Sequence, residues 1–178
     1  RTSTSASRTR RLRPGGSAAV TRHARLAAIL YGVAAVAYAL DRFTKAWAEA
    51  SLADRPPIEV VPGVLHLTYT TNSGGAFGLG QSAPWLFAGA TIVVVGIIVV
   101  VSTRLTLTLT AVALGLVLGG ALGNLTDRAV RGPSLSGRVV DFIDMRVWPV
   151  FNIADSAVLI GAVLLALSSF RREEPEAG

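Results

Sequence analysis

The chain has 178 residues, of which 51% are hydrophobic and 16% are charged, and its mean hydropathy is +0.53. Lysine and arginine outnumber the acidic residues 17 to 11, and cysteine is absent. The lack of cysteine excludes disulfides, thiolate catalysis and thiolate metal sites. Such a high apolar content is typical of a membrane protein and argues against a soluble helical one.

Four stretches reach or approach the ~20 apolar residues that are needed to cross ~30 Å of hydrocarbon. They are residues 26–40, 83–102, 105–126 and 147–170. A soluble core would account for one such stretch, but not for four in so short a chain. The prediction is an α-helical polytopic membrane protein with four transmembrane helices.

The positive charges predict the orientation of these helices. Seven arginines precede the first apolar stretch, and Arg104, Arg171 and Arg172 fall on the same side of the membrane. By the positive-inside rule both termini are cytoplasmic. Residues 1–25 are expected to form a basic disordered arm, 26–170 the membrane domain and 171–178 a cytoplasmic tail. We expect the arm to be attracted to anionic lipid and not to nucleic acid.

The first outer loop predicts a small extracytoplasmic β-hairpin. Residues 58–61 and 64–71 flank a Pro-Gly turn, and Leu65, Leu67 and Tyr69 alternate with polar residues. This period of two is typical of a half-buried strand. The segment NSGGAFG that follows, residues 72–78, suits close backbone approach. The hairpin is either a substrate-binding edge or an ordinary surface element.

Two acids lie among apolar residues. Asp155 is the only charge in residues 147–170, and Asp141 stands within VVDFI, residues 139–143. A carboxylate in a bilayer costs roughly 2.5–3.5 kcal/mol on insertion scales, so it marks a functional site by default. Two such groups can share one proton, which predicts an aspartyl hydrolase at the membrane edge. Asn152, three residues before Asp155, is expected to cap the fourth helix or to orient a carboxylate.

Other residues suggest how this region is supported. Three glycines at four-residue spacing in the third stretch predict close helix packing. They are Gly115, Gly119 and Gly123. Asn124 and Asp127 share a helix face, with Arg128 beside them, and form either a polar helix end or a wall near the carboxylates. Asp41 and Lys45 form an i,i+4 pair that favours a structural tie.

Five motifs, in order, resemble those of lipoprotein signal peptidase, also called signal peptidase II, the bacterial aspartyl protease that cuts signal peptides from prolipoproteins. The motifs are DRFTK (41–45), NSGGAF (72–77), GGALGNLTDR (119–128), VVDF (139–142) and FNIADS (151–156). The resemblance covers about residues 26–170. It implies that Asp141 and Asp155 are the catalytic dyad. It also implies a multi-pass enzyme of the bacterial cytoplasmic membrane, with its site near the extracytoplasmic face.

The resemblance implies further roles. The other matching residues are expected to bind substrate or to support the site. These are Asp41, Lys45, Asn72, Asn124, Asp127, Arg128 and Asn152. The substrate would be a prolipoprotein whose cysteine carries diacylglycerol, which enters from the membrane and is cut just before that cysteine. We expect a monomer in contact with membrane lipid. No cofactor or metal is expected, because His23 and His66 form no metal-ligand pair.

On the residues alone, two rival functions stay open. A proton-coupled transporter could use Asp155 and Asp127 as a relay. The acids gather at one side and the two halves of the chain show no repeat, which favours the protease. A serine/lysine protease would need Lys45 as a neutral base, but the neighbouring Asp41 favours the charged form.

Overall fold

The computed structural model describes residues 15–74 and 84–170. These residues form four α-helices and three β-strands. In chain order they are α1 (Gly15–Leu52), β1 (Ile58–Val61), β2 (Leu65–Asn72), α2 (Pro84–Ser102), α3 (Thr108–Val130), β3 (Val139–Asp144) and α4 (Ile153–Phe170). One turn of 3-10 helix, Pro133–Leu135, precedes β3.

Three helical segments are long and apolar enough to cross a membrane, namely Val20–Leu52, Trp85–Ser102 and Thr108–Val130. Helix α4 is also apolar but shorter, with 18 residues. At 1.5 Å per residue it is about 27 Å long, close to the ~30 Å hydrocarbon thickness. The predicted class, a helical membrane protein with a small sheet, is confirmed.

The expected start of the fourth span at residue 147 is wrong, because α4 begins at Ile153. The residue just before the helix cap, Phe151, pairs with the sheet instead. Its N–H donates to the carbonyl of Ile143 at 3.0 Å, and the N–H of Ile143 returns a bond of 2.9 Å. The apolar run therefore contains a loop and a strand contact before the helix, and Asp155 falls in the first turn.

The expected disordered arm also needs correction. Helix α1 extends back to Gly15, so residues 15–25 are helical. The side chain of Arg22, in α1, donates to the carbonyl of Thr106 at 2.8 Å. This bond joins the start of α1 to the α2–α3 connection. The remaining part of the predicted arm, residues 1–14, and the predicted tail, residues 171–178, lie outside the described residues.

The sheet is antiparallel, with strand order β1-β2-β3. The predicted hairpin is confirmed as β1 and β2, and its turn contains Gly63 at a φ of +70°, a conformation that glycine adopts without strain. Strand β3 was not predicted. It pairs with β2 so that Thr70 lies opposite Asp141 and Asn72 opposite Val139. This pairing brings Asp141 beside the end of the hairpin.

Helix α3 lies between α1 and α4, and its glycines set the close approach. A Cβ on Gly115 would lie 2.6 Å from the carbonyl oxygen of Leu30, and one on Gly119 would lie 2.5 Å from that of Ala34. At Gly123 an added Cβ would meet the carboxylate of Asp41. The predicted role of these glycines in helix packing is confirmed.

Candidate active site

Asp141 and Asp155 line one cavity of about 610 Å³ between α2, α3 and α4. Asp141 comes from the middle of β3 and is 2% exposed, whereas Asp155 lies in the first turn of α4 and is half-buried. Asn72, Asn124 and Arg128 line the same cavity. The structure therefore brings together five residues that are scattered along the sequence.

The two acids are electrically coupled. Burial, and next the negative charge of Asp155, raise the pKa of Asp141 from 3.8 to about 7. Hydrogen bonds from Asn152 and Asn72 oppose this shift without cancelling it. Asp141 can therefore hold a proton near neutral pH, as one member of an acid–base pair must.

Asn152 connects the two carboxyl groups. Its Oδ1 accepts the N–H of Asp155 at 2.9 Å, and Oδ2 of Asp155 accepts the N–H of Asn152 at 3.3 Å. This reciprocal pattern is a capping box, which satisfies N–H groups at the start of α4. Its Nδ2 also donates to Oδ1 of Asp141 at 2.6 Å. Asn152 thus caps the helix and orients a carboxyl group, the two roles that were offered as alternatives.

Asn124 links the pair to a buried lysine. Its Nδ2 donates to Oδ1 of Asp155 at 2.8 Å, and its Oδ1 accepts from Nζ of Lys45 at 2.8 Å. The amide of Asn152 donates to the same oxygen at 3.2 Å. Asn124 therefore lies between the charged network of α1 and the cavity.

Lys45 is fully buried, and its ammonium group is surrounded by oxygen atoms. It lies 2.9 Å from Oδ2 of Asp41 and 2.9 Å from Oδ2 of Asp127, besides its bond to Asn124. A buried charge with this many partners is held as the ammonium ion. Lys45 is thus the structural tie that was favoured, and it does not suit the neutral base that a serine/lysine protease needs.

Asp127 holds α1, α3 and β3 together. It is fully buried, and its carboxylate contacts Arg42, Lys45 at 2.9 Å and Arg131 at 3.4 Å. It also accepts the N–H of Val140, in β3, at 3.3 Å. A carboxylate bound by three cations does not suit a relay that must take up and release protons. Nothing supports the transporter reading of Asp127 and Asp155.

Asp41 performs a similar task for α4. Its Oδ1 accepts the N–H of Ala154 at 3.0 Å, and its Oδ2 faces Lys45. A negative group at a helix N-terminus is stabilising. Asp41 and Asp127 do not line the cavity, and their carboxylates contact the elements that carry Asp155 and Asp141.

Arg128 and Asn72 form the side of the cavity nearest the hairpin. Arg128 is 8% exposed and donates to the carbonyl of Ser73 at 3.1 Å. Its guanidinium group lies 5.8 Å from the ring centre of Phe87. Oδ1 of Asn72 accepts the N–H of Gly74 at 2.9 Å, which fixes the turn after β2. Both side chains are therefore held in place at the cavity.

Several supporting residues were missed by sequence reasoning. Arg131 donates two hydrogen bonds to Glu49, at 2.9 and 2.7 Å, and Arg42 contacts Asp127. The i,i+4 spacing of Asp127 and Arg131 is a signal that could have found one of them. Trp148 also lines the cavity, but no local pattern indicates this, because the contact depends on how the chain folds back before α4.

The remaining walls of the cavity are apolar and belong to the membrane-spanning helices. They include Ala90, Val94, Val117, Ala121, Val158 and Ala162. Among residues 15–74 and 84–170, no group of three or more histidine and acidic side chains is arranged to hold a metal ion. Two carboxyl groups, those of Asp141 and Asp155, thus line a cavity whose walls are otherwise mostly apolar.

A family model described as "Signal peptidase (SPase) II" matches residues 33–171. The lipoprotein signal peptidase of Streptomyces coelicolor is 41% identical over 157 residues, which cover 88% of this chain and 77% of the relative. That of Syntrophomonas wolfei is 42% identical over 142 residues, which cover 78% and 92%.

Solved structures agree with these relatives. Two chains, each described as a bacterial membrane enzyme structure obtained by the in meso method, superpose with TM-scores of 0.68 and 0.67 at 30% identity. The first match covers 82% of this chain and 92% of the solved one. The chain belongs to the signal peptidase II family, the membrane-bound aspartic proteases of bacteria that remove signal peptides from prolipoproteins.

Proposed function

We propose that Asp141 and Asp155 are the catalytic pair, and that the enzyme cuts diacylglyceryl-modified prolipoproteins just before the lipidated cysteine. The observation that carries the proposal is the shared cavity, where two acids from separate elements are bridged by Asn152. Burial and mutual repulsion keep one proton on the pair near neutral pH.

The reaction uses this single proton. The ionised carboxylate takes a proton from a water molecule, which attacks the carbonyl carbon of the scissile peptide bond. The protonated carboxyl group donates to the carbonyl oxygen as the tetrahedral intermediate forms. The carboxyl group that took the proton from water then gives it to the nitrogen of the leaving amine, and the C–N bond breaks. A hydroxyl group of the intermediate returns its proton to the other carboxylate as the carbonyl re-forms, so the pair again holds one proton.

The apolar walls of the cavity suit a lipidated substrate. They lie on α2, α3 and α4, so a precursor anchored in the bilayer can reach the acids from the membrane side. Each buried CH₂ group contributes about 0.8 kcal/mol, so two acyl chains hold the cysteine at a defined depth. Arg128 and Asn72 are proposed to bind the peptide backbone at the cavity edge, since the guanidinium group offers several donors to carbonyl oxygens.

We also propose the orientation and state of the enzyme. Both termini would be cytoplasmic, with the dyad near the extracytoplasmic face of the cytoplasmic membrane and the chain acting as a monomer surrounded by lipid. Arg22 and Arg104 lie at the end of the helices opposite the sheet, which supports this orientation by the positive-inside rule.

The test is cleavage of a lipidated precursor by the purified enzyme. Asp141→Asn and Asp155→Asn should each abolish turnover, because an amide neither takes a proton from water nor donates one like a carboxylic acid. Asp144→Asn is the matched control. Asp144 follows Asp141 on the same strand, but its Oδ1 accepts the nearby N–H of Arg146 at 2.8 Å, and it is not among the residues that line the cavity.

A second substrate separates the parts of the proposal. A precursor whose cysteine is replaced by serine cannot be lipidated and should remain uncut. Equal cleavage of both precursors would contradict the proposed lipid requirement but not the assignment of the catalytic dyad. Full activity of either Asp141→Asn or Asp155→Asn would contradict the aspartyl mechanism.

A further inference from the structure

We infer that Lys45 is a positioning residue that acts through Asn124 and makes Asp155 the base of the pair, with the shared proton on Asp141. The inference rests on the proposed function, because it assigns roles within the proposed dyad. Lys45 itself is buried behind the cavity and does not line it.

The first step is the orientation of the Asn124 amide. An ammonium group can only donate hydrogen bonds, so the atom of Asn124 that lies 2.8 Å from Lys45 must be the amide oxygen. The amide of Asn152 donates to the same oxygen at 3.2 Å. The NH₂ group of Asn124 is thereby turned toward Asp155, where it donates at 2.8 Å. If the amide of Asn124 were flipped, its NH₂ group would face the ammonium group of Lys45, and two hydrogen-bond donors would meet.

The second step is the effect on Asp155. Its Oδ1 accepts from Asn124 and its Oδ2 accepts from the backbone N–H of Asn152 at 3.3 Å. Both partners are donors, which favours the ionised carboxylate over the acid. Asp155 is also half-buried in the first turn of α4, where the helix dipole stabilises negative charge.

The third step concerns Asp141. It lies in a strand, which offers no such dipole, and it is 2% exposed, so burial opposes its ionisation more strongly. Asn124 donates to Asp155, whereas Asp141 receives the amide of Asn152 at 2.6 Å. Asp141 also accepts from Asn72, and the charge of Lys45 acts on it at a distance, but burial outweighs these contributions. The hydrogen-bond path from Lys45 through Asn124 leads to Asp155, so the proton is left on Asp141.

Other charged groups near the dyad do not make this distinction. Arg128, from α3, lines the cavity and acts on both acids. Asp41 faces the backbone of α4 and Asp127 faces β3, and both carboxylates pair with Lys45. The amide of Asn124 is therefore the contact through which the lysine selects Asp155.

The experiment measures kcat/KM against pH for the full-length enzyme with a lipidated precursor. Activity requires that the pair hold a single proton, so uptake of a second proton by the pair produces the acidic limb of the profile. Lys45→Met should move the midpoint of this limb to higher pH by about one unit, since it frees the amide that supports the ionised form. Arg42→Met is the matched control, because Arg42 contacts Asp127 in the same network but does not touch Asn124.

A second variant covers the case in which Lys45→Met does not fold. Asn124→Ala removes the donor to Asp155 and leaves Lys45 with both of its carboxylate partners. Its acidic limb should move in the same direction, also by about one unit. An unmoved limb in Asn124→Ala, or an equal shift in Arg42→Met and Lys45→Met, would overturn the inference. Either result would leave the proposed function standing so long as the dyad variants remain inactive.

Discussion

Asp141→Asn should stabilise the protein while it abolishes cleavage, and the gain should grow with pH. The pKa of Asp141 is about 7 in the folded protein, against an ordinary value of 3.8. Between these values the folded state keeps a proton that the unfolded chain releases, so stability falls as pH rises through this window. Relative to the fully protonated state, the cost is about 2 kcal/mol at pH 5 and about 4 kcal/mol at pH 8.

The substituted amide avoids this cost and keeps the local contact. Its Oδ1 can still accept from Nδ2 of Asn152, as Asp141 does now at 2.6 Å. The advantage of Asp141→Asn over the unsubstituted enzyme should therefore be about 2–3 kcal/mol larger at pH 8 than at pH 5. For a chain of this length that corresponds to roughly 5–10 °C in the difference between the two melting temperatures.

The assay is thermal unfolding of the detergent-solubilised enzyme at both pH values, with Asp144→Asn as the control. Asp144 lies at the edge of the sheet near Arg146, and its amide variant should melt within a degree or two of the unsubstituted enzyme at either pH. A gain in Asp141→Asn that is equal at pH 5 and pH 8, or a loss at pH 8, would refute the reasoning that burial and the charge of Asp155 hold a proton on Asp141.

Three further outcomes are expected. Cleavage should decline as pH rises through about 7, because Asp141 loses the proton that it donates, and a rate that stays flat to pH 9 would contradict this role. Gly119→Ala should cost about 1–3 kcal/mol of stability in thermal unfolding, because the added Cβ meets a backbone carbonyl at 2.5 Å, whereas Gly96→Ala has open space and should be neutral or slightly stabilising. In intact cells Ser134→Cys should react with a membrane-impermeant thiol reagent and Ser3→Cys should not, and the reverse labelling would place the active site on the cytoplasmic side.

Much of this protein follows from local features of its sequence. Long uncharged stretches determine that the chain crosses a membrane, because transfer of apolar side chains into lipid depends on composition and length alone. Alternation at Leu65, Leu67 and Tyr69 was sufficient to place the hairpin. Asp141 and Asp155 stood out because a charge among apolar neighbours is costly. Their catalytic roles stay predictions until the variants are assayed.

Tertiary structure decided the rest, since it depends on partners that are distant along the chain. Strand β3 shows no alternation because its residues Val139, Val140, Asp141 and Phe142 are all buried. Helix α4 begins late because Phe151 pairs with the sheet. The i,i+4 spacing predicted the tie between Lys45 and Asp41, but the contact of Lys45 with Asp127 was hidden from the sequence. A buried ion acquires such partners only when folding brings opposite charges within about 3 Å of it.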